Sequence, residues 1–232
     1  MTIFNIIEGA FAIFKENWKV ILFEYTTKTL LLALIAVVFG TVIGALLAFG
    51  NKSKFKPIKW IIVAFVEFIR GTPALLQVYV FYFFVPMLIP QLNRMDPFLS
   101  AFICASVALT LNSAAYVSEI IRSGIEAVDK GQTEAARSLG LNAKVSMTAI
   151  VLPQAIKNIL PALGNEFITV VKETSLAATF FAGELMTFYT EYVGTTHDAL
   201  PAFIVVGAVY FALNFVLSKG IKFAERRLKA RA

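Results

Sequence analysis

Between Tyr25 and Phe49 the chain runs 25 residues with one charged side chain, Lys28. A soluble helix keeps at least one polar face, and a helix apolar all round is buried in a large core or in lipid. One bilayer crossing takes about 20 mostly apolar residues, so this run fits a crossing. The rest of the 232 residues agrees: 58% are apolar, only 16% are charged, and the mean hydropathy is +0.75. Ordinary soluble domains hold roughly 45–50% apolar and about 25% charged residues. The composition therefore excludes a soluble enzyme, a secreted domain and a disordered chain, and it predicts an all-α integral membrane protein.

Four further crossings are read from the pattern, for five transmembrane helices in all. Residues 58–90 are apolar apart from Lys59, Glu67, Gln77 and the break Arg70-Gly71-Thr72-Pro73. As one straight helix they would be about 50 Å long, too long for a single span. Ile58–Ile69 is read as a partly interfacial helix and Pro73–Pro90 as the crossing. The third, fourth and fifth spans are Phe98–Ile120, Leu160–Phe181 and Ala202–Leu217. Gly40 and Gly44 give the first span a GxxxG spacing that permits close helix approach. Residues 1–24 read as an amphipathic helix, with Ile3, Ile7, Phe11, Phe14, Trp18 and Ile21 at helical spacing and Glu8, Lys15, Glu16 and Lys19 elsewhere on the wheel. Such a helix lies along a membrane surface or packs on the bundle. These residues lack a long apolar core, so no cleavable signal peptide is expected.

Orientation follows from lysine and arginine. Lys52, Lys54, Lys56 and Lys59 precede the second span. Arg122, Lys130, Arg137, Lys144 and Lys157 lie in the 121–159 loop, and Lys219, Lys222, Arg226, Arg227, Lys229 and Arg231 follow the last span. With five spans all fall on one side, whereas the 182–201 loop has none and carries Glu184, Glu191 and Asp198. The C-terminus and the long loop are thus expected in the cytoplasm and the N-terminus outside. This topology accounts for the net charge of +6 without nucleic acid. One cysteine, Cys104, and one histidine, His197, leave no disulfide framework and no metal site to expect.

Polar groups at bilayer depth are costly and face a bundle interior or an aqueous path. The third span carries Asn112, Tyr116 and Glu119 on one face with Ser113 beside them. The fourth carries Asn165, Thr169 and Lys172 in a stripe, with Glu166 and Glu173 adjoining. The two sets are expected to meet near mid-membrane, although each residue taken singly equally suits a hydrogen bond to a neighbouring helix. The second span adds Arg70, Thr72 and Gln77, and Pro73 frees backbone groups that a broken helix can present to a solute. Arg70 reads equally as an interface anchor paired with Glu67, and Arg70 and Glu119, near the cytoplasmic end, read equally as parts of a gate or a structural ion pair. Arg70 and Lys172 suit a carboxylate, and Glu119, Glu166 and Glu173 suit an ammonium group, so the chemistry fits an amino acid. No GxSxG, HExxH or GxxxxGK[ST] motif is present. The chain is not expected to be an enzyme or to bind a cofactor, and any ATP hydrolysis falls to another subunit.

In the long loop, Gln132–Leu139 reads as a short helix closed by Gly140, with Glu134 in its first turn, where a carboxylate suits the positive helix end. Ala135, Ala136 and Leu139 offer a small apolar surface to a groove on another protein. Glu134-Ala135-Ala136, Gly140 and Ile150-Val151-Leu152-Pro153 together resemble the signature loop of permease subunits of ATP-binding-cassette importers. Phe68–Pro73, Leu111–Tyr116, Gly131-Gln132 and Lys172–Leu176 look like the polar-amino-acid branch of that family.

The resemblance spans residues 25–223. It implies the type I importer permease fold, with 121–159 as a cytoplasmic coupling loop, 224–232 as a basic tail, and Gln132, Glu134, Ala135, Ala136, Leu139 and Gly140 as the coupling residues. It also implies a second permease copy, identical or related, an ATPase dimer that binds ATP and Mg, an external solute-binding protein, and a prokaryotic cell membrane. The solute class would be arginine, histidine, lysine, glutamine, glutamate or cystine, moved by alternating access. An importer for another small solute, a passive channel and a receptor are the rival readings.

Overall fold

The computed structural model describes every residue except Met1, Lys54, Arg231 and Ala232, and the side chains of 228–230 are also left aside. Lys54, Lys229 and Arg231 of the charge argument thus lie outside the described side chains.

Helix α1 (Ile3–Lys19) runs through a π-helical turn at Val20–Tyr25 into α2 (Thr26–Gly50), making one helix of 48 residues. At the usual rise this rod is about 72 Å long. The π turn opens the backbone ladder at the fully buried Ile21, whose carbonyl accepts from Thr26 Oγ1 at 2.8 Å. Helix α1 has three faces. Ala10 and Ile13 are buried against Leu185, Phe188, Ala202 and Val205, Phe4, Ile7 and Phe11 point outward, and Glu8, Lys15 and Glu16 occupy the remaining arc.

Helix α5 (Pro97–Glu126), capped by Asp96, is the central element. Its inward residues are small (Ala101, Ala105, Ala108, Ala114, Ala115), and α2 lies close against them. A Cβ on Gly44 would stand 2.7 Å from the Ala114 carbonyl oxygen, and one on Gly40 would stand 2.9 Å from Ser113 Cβ. The GxxxG spacing therefore marks the α2–α5 contact. Leu34, Val38, Phe39, Phe211 and Phe215 face outward, as expected where the exterior is lipid.

Helices α3 (Lys56–Gly71) and α4 (Ala74–Leu88) meet at 113°. Pro73–Pro90 was expected to be a crossing, but α4 is about 22 Å long, short of a hydrocarbon core of about 30 Å. The two helices together make one broken element. The loop after α5 holds α6 (Lys130–Ser138) and the short α7 (Ala143–Ser146), and a second π turn leads into α8 (Leu152–Glu173).

The expected span Leu160–Phe181 is also corrected, because α8 starts eight residues earlier and ends at Glu173. Thr174–Phe180 then forms a 3₁₀ turn that closes on Phe181 in left-handed conformation. Helices α9 (Leu185–Thr196) and α10 (Ala199–Ala230) complete the described chain. Among the described residues three helices are long and apolar enough to cross a membrane, Ile3–Gly50, Pro97–Glu126 and Ala199–Arg227, and the α3–α4 pair counts as a fourth if taken as one span. Helix α8 has the length, but Lys157, Glu166, Lys172 and Glu173 make it too polar to qualify by composition.

Candidate functional site

The polar residues of α5 find partners inside the chain. Asn112 Nδ2 donates to Gln77 Oε1 at 2.9 Å, and both residues are buried, at 3% and 5% exposure. Gln77 Nε2 donates to the carbonyl of Ile69 at 2.7 Å, to that of Thr72 at 3.1 Å and to Thr72 Oγ1 at 2.9 Å. Thr72 Oγ1 in turn donates to the Phe68 carbonyl at 2.9 Å. The break was expected to offer its carbonyls to a solute, but those of Phe68, Ile69 and Thr72 are already occupied from within. The reason is local: Gln77 sits one turn into α4 and its side chain reaches back across the gap.

Ser113 Oγ donates to Glu166 Oε1 at 3.0 Å, which joins α5 to α8. Below them Glu119 sits between two arginines, with Arg70 at 3.3 Å and Arg122 at 2.8 Å, and Arg122 also reaches Glu126. The Arg70 guanidinium lies 5.9 Å from the centre of the Tyr116 ring. Arg70 is therefore paired with Glu119 rather than Glu67. Glu67 instead borders a polar recess of about 210 Å³ with Asn51, Ser118, Glu119 and Arg122.

The α8 stripe behaves differently. Val170 and Val171 are fully buried and set the rotation of the helix, which leaves Asn165, Thr169 and Lys172 exposed. The α5 face thus meets Glu166 and not this stripe, against expectation. Lys172 borders two shallow depressions, one of about 280 Å³ with Thr169, Glu173, Ser175 and Leu176, the other of about 240 Å³ toward α10 with Tyr210.

Glu184 was read as a residue of an outer loop, yet it is wholly buried at the start of α9. It accepts from the backbone N–H groups of Met186 and Thr187, each at 2.8 Å, and from Tyr210 Oη at 2.8 Å. The Leu185 N–H donates to Thr29 Oγ1 at 2.9 Å, so α2, α9 and α10 are tied at one point. Glutamate is not among the preferred helix caps, and for that reason pattern rules pass it over.

In the long loop, α6 is capped by Asp129, whose Oδ1 accepts from the Gly131 N–H at 2.6 Å. Glu134 therefore sits in the second turn and not the first, and Asp129 holds the place at the positive end. Of the apolar trio Ala136 is buried within the chain, while Ala135 faces outward and Leu139 is 82% exposed. Gly140 has φ +83° with open space around it, so glycine is needed there for the backbone and not for room.

Residues 18–230 match the family described as the binding-protein-dependent transport system inner membrane component. The chain belongs to that family. It is 40% identical over 203 residues to the arginine transport system permease protein ArtQ of Bacillus subtilis, covering 87% of this chain and 90% of that one. It is 38% identical over 201 residues to the probable glutamine permease GlnM of the same organism, with the same two coverages. Among solved structures, an amino acid transporter of the ATP-binding-cassette class crystallised with histidines superposes with a TM-score of 0.83 at 38% identity. That match covers 92% of this chain and 96% of the other. The inward-facing methionine transporter MetNI shares the fold at 20% identity, with a TM-score of 0.66. The chain is thus the membrane-embedded permease subunit of an importer with the type I fold. ATP hydrolysis belongs to a separate ATPase subunit, and an external binding protein delivers the solute.

Proposed function

We propose that this permease carries a polar amino acid of the arginine, histidine, lysine, glutamine, glutamate or cystine class across a prokaryotic cell membrane. The observation that carries the reading is the exposed stripe Asn165–Thr169–Lys172 beside Glu173, on a helix otherwise built into an apolar bundle. A cation, a carboxylate and neutral donors on one open face suit a zwitterion. They would be costly against lipid, so a second permease copy, identical or related, covers them. The names of the arginine and glutamine permeases to which the chain is similar support the same class.

Five crossings follow if α8, shielded by that second copy, counts with the three apolar helices and the α3–α4 pair. The N-terminus is then outside and the C-terminus cytoplasmic. Residues 1–24 continue the first crossing as an extension packed on α9 and α10 rather than lying along the membrane surface. Residues 25–223 form the permease domain and 224–232 a basic tail. The 121–159 loop contacts an ATPase dimer that binds ATP and Mg. Ala135 and Leu139 of α6 enter the ATPase, and Gly140 sets the exit of the chain, so that ATP-driven closure of the dimer alternates access.

Labelled-solute uptake by the whole complex in liposomes, challenged with a panel of amino acids, tests the reading. Competition by polar amino acids and loss of uptake without the ATPase are expected. Competition only by unrelated solutes, or uptake that survives ATPase removal, overturns it. Gly140→Val and Glu134→Lys should leave the complex assembled while the ATPase no longer responds to the loaded binding protein.

A further inference from the structure

We infer that Gln77 and Asn112 form an amide clamp that holds the 113° bend between α3 and α4, and that they serve transport as positioning residues and not as ligands of the solute. The argument begins with Pro73. Proline has no N–H, so the Ile69 carbonyl has lost the donor four residues on, and Thr72, as the residue before a proline, is extended (φ −114°, ψ 147°). A straight continuation is closed at that point, but nothing in a Thr-Pro step specifies a bend of 113° rather than a mild kink.

What specifies it is the pair of side chains. One Gln77 amide nitrogen lies 2.7 Å from the Ile69 carbonyl oxygen at the end of α3 and 3.1 Å from that of Thr72 in the gap. Both acceptors lie within its reach only when α4 folds back on the end of α3. The amide oxygen of Gln77 is turned the other way and accepts from Asn112, half-way along α5. Asn112 therefore fixes which end of the Gln77 amide faces the break. Its own Oδ1 is buried without a hydrogen-bond partner, so its N–H₂ is the end engaged. Both residues are closed off from any path through the chain, which is the wrong placement for a solute ligand. The bend they hold places Arg70, the last cation before the break, beside Glu119 and Tyr116.

The inference rests on the chain being a permease and not on which solute it carries, so a distance across the bend reads it even where uptake is silent. Spin labels at the exposed positions Ile58 and Leu88, in a Cys104→Ala background of the assembled complex, report the bend. Arms of about 24 Å and 22 Å at 113° place the far ends about 25 Å apart, against about 45 Å for a straight helix. Gln77→Leu should lower uptake at least about tenfold and broaden or lengthen this distance. Where it also lowers the yield of complex, adding Pro73→Ala returns an N–H to the Ile69 carbonyl. The double variant should then assemble, read the longer distance and still transport poorly. Asn112→Asp, which removes the donor, should lengthen the distance as well. In every variant that transports, the ranking of competing solutes should be unchanged. Full transport by Gln77→Leu/Pro73→Ala, an unaltered distance in Gln77→Leu, or a changed ranking in Asn112→Asp overturns the clamp.

Discussion

Helices α5 and α8 carry similar polar content and use it in opposite ways. On α5, Asn112 and Ser113 are buried and bonded to Gln77 and Glu166. On α8, Asn165, Thr169 and Lys172 stand exposed, and the Thr169 hydroxyl is turned back onto the Asn165 carbonyl of its own helix at 3.2 Å. A polar residue within an apolar span is thus either an internal fastener or an unmet surface, and the type of residue does not say which. Rotation about the helix axis decides. Val170 and Val171 turn α8 so that Glu166 faces α5 and the stripe faces out. On this contrast the α5 groups act by holding helices in place, while the α8 stripe is open to a partner or a solute.

The sharpest break in the contrast is expected where α5 meets α2. Gly44→Leu places atoms where the Ala114 carbonyl oxygen and Val117 already stand, an overpacking cost at the upper end of about 1–3 kcal/mol. The yield of folded complex by size exclusion should collapse, whereas Gly194→Leu, in open space on α9, should leave it unchanged. A normal yield for Gly44→Leu would mean that α2 and α5 are not in close contact.

Next in size is Glu184→Ala. It strips the cap from α9 and the acceptor from Tyr210, for about 2 kcal/mol, read as a lower Tm of the complex. Glu184→Gln keeps an acceptor and should lose less. Lys172→Ala moves to the other side of the contrast, with uptake down about tenfold, Tm unchanged and solute binding by the external protein normal. A drop in Tm with intact uptake would turn that assignment around. The smallest effect belongs to Ser113→Ala, which removes one hydrogen bond to Glu166 for about 1 kcal/mol, read as a slightly lower Tm, and leaves uptake nearly as it was.

Much of the architecture was legible in the residues alone. Apolar runs locate α2, α5 and α10 because a helix in lipid satisfies its own backbone, so length and hydropathy suffice to find it. Gly40 and Gly44 announced a close helix contact, and Glu134–Gly140 with Ile150–Pro153 carried the family resemblance. Less legible were the ends of the polar elements. Leu160–Phe181 missed the first eight residues of α8 and ran through the 3₁₀ turn, since Leu152–Ile159 holds too many polar groups to read as a span. Glu184 was placed in a loop because its partners, Tyr210 and Thr187, give no sign of themselves in a linear pattern.

The sequence by itself determined that the chain lives in a membrane, where its apolar helices run, and which family its long loop resembles. Each of these rests on composition or spacing within one segment. Only the tertiary structure decided which polar groups are spent and which are free. Gln77 and Asn112 are 35 residues apart and Ser113 and Glu166 are 53 apart, so their pairing depends on how separate helices are rotated and tilted against each other. That rotation is set by the packing of small and branched side chains across the whole bundle, which no local period encodes.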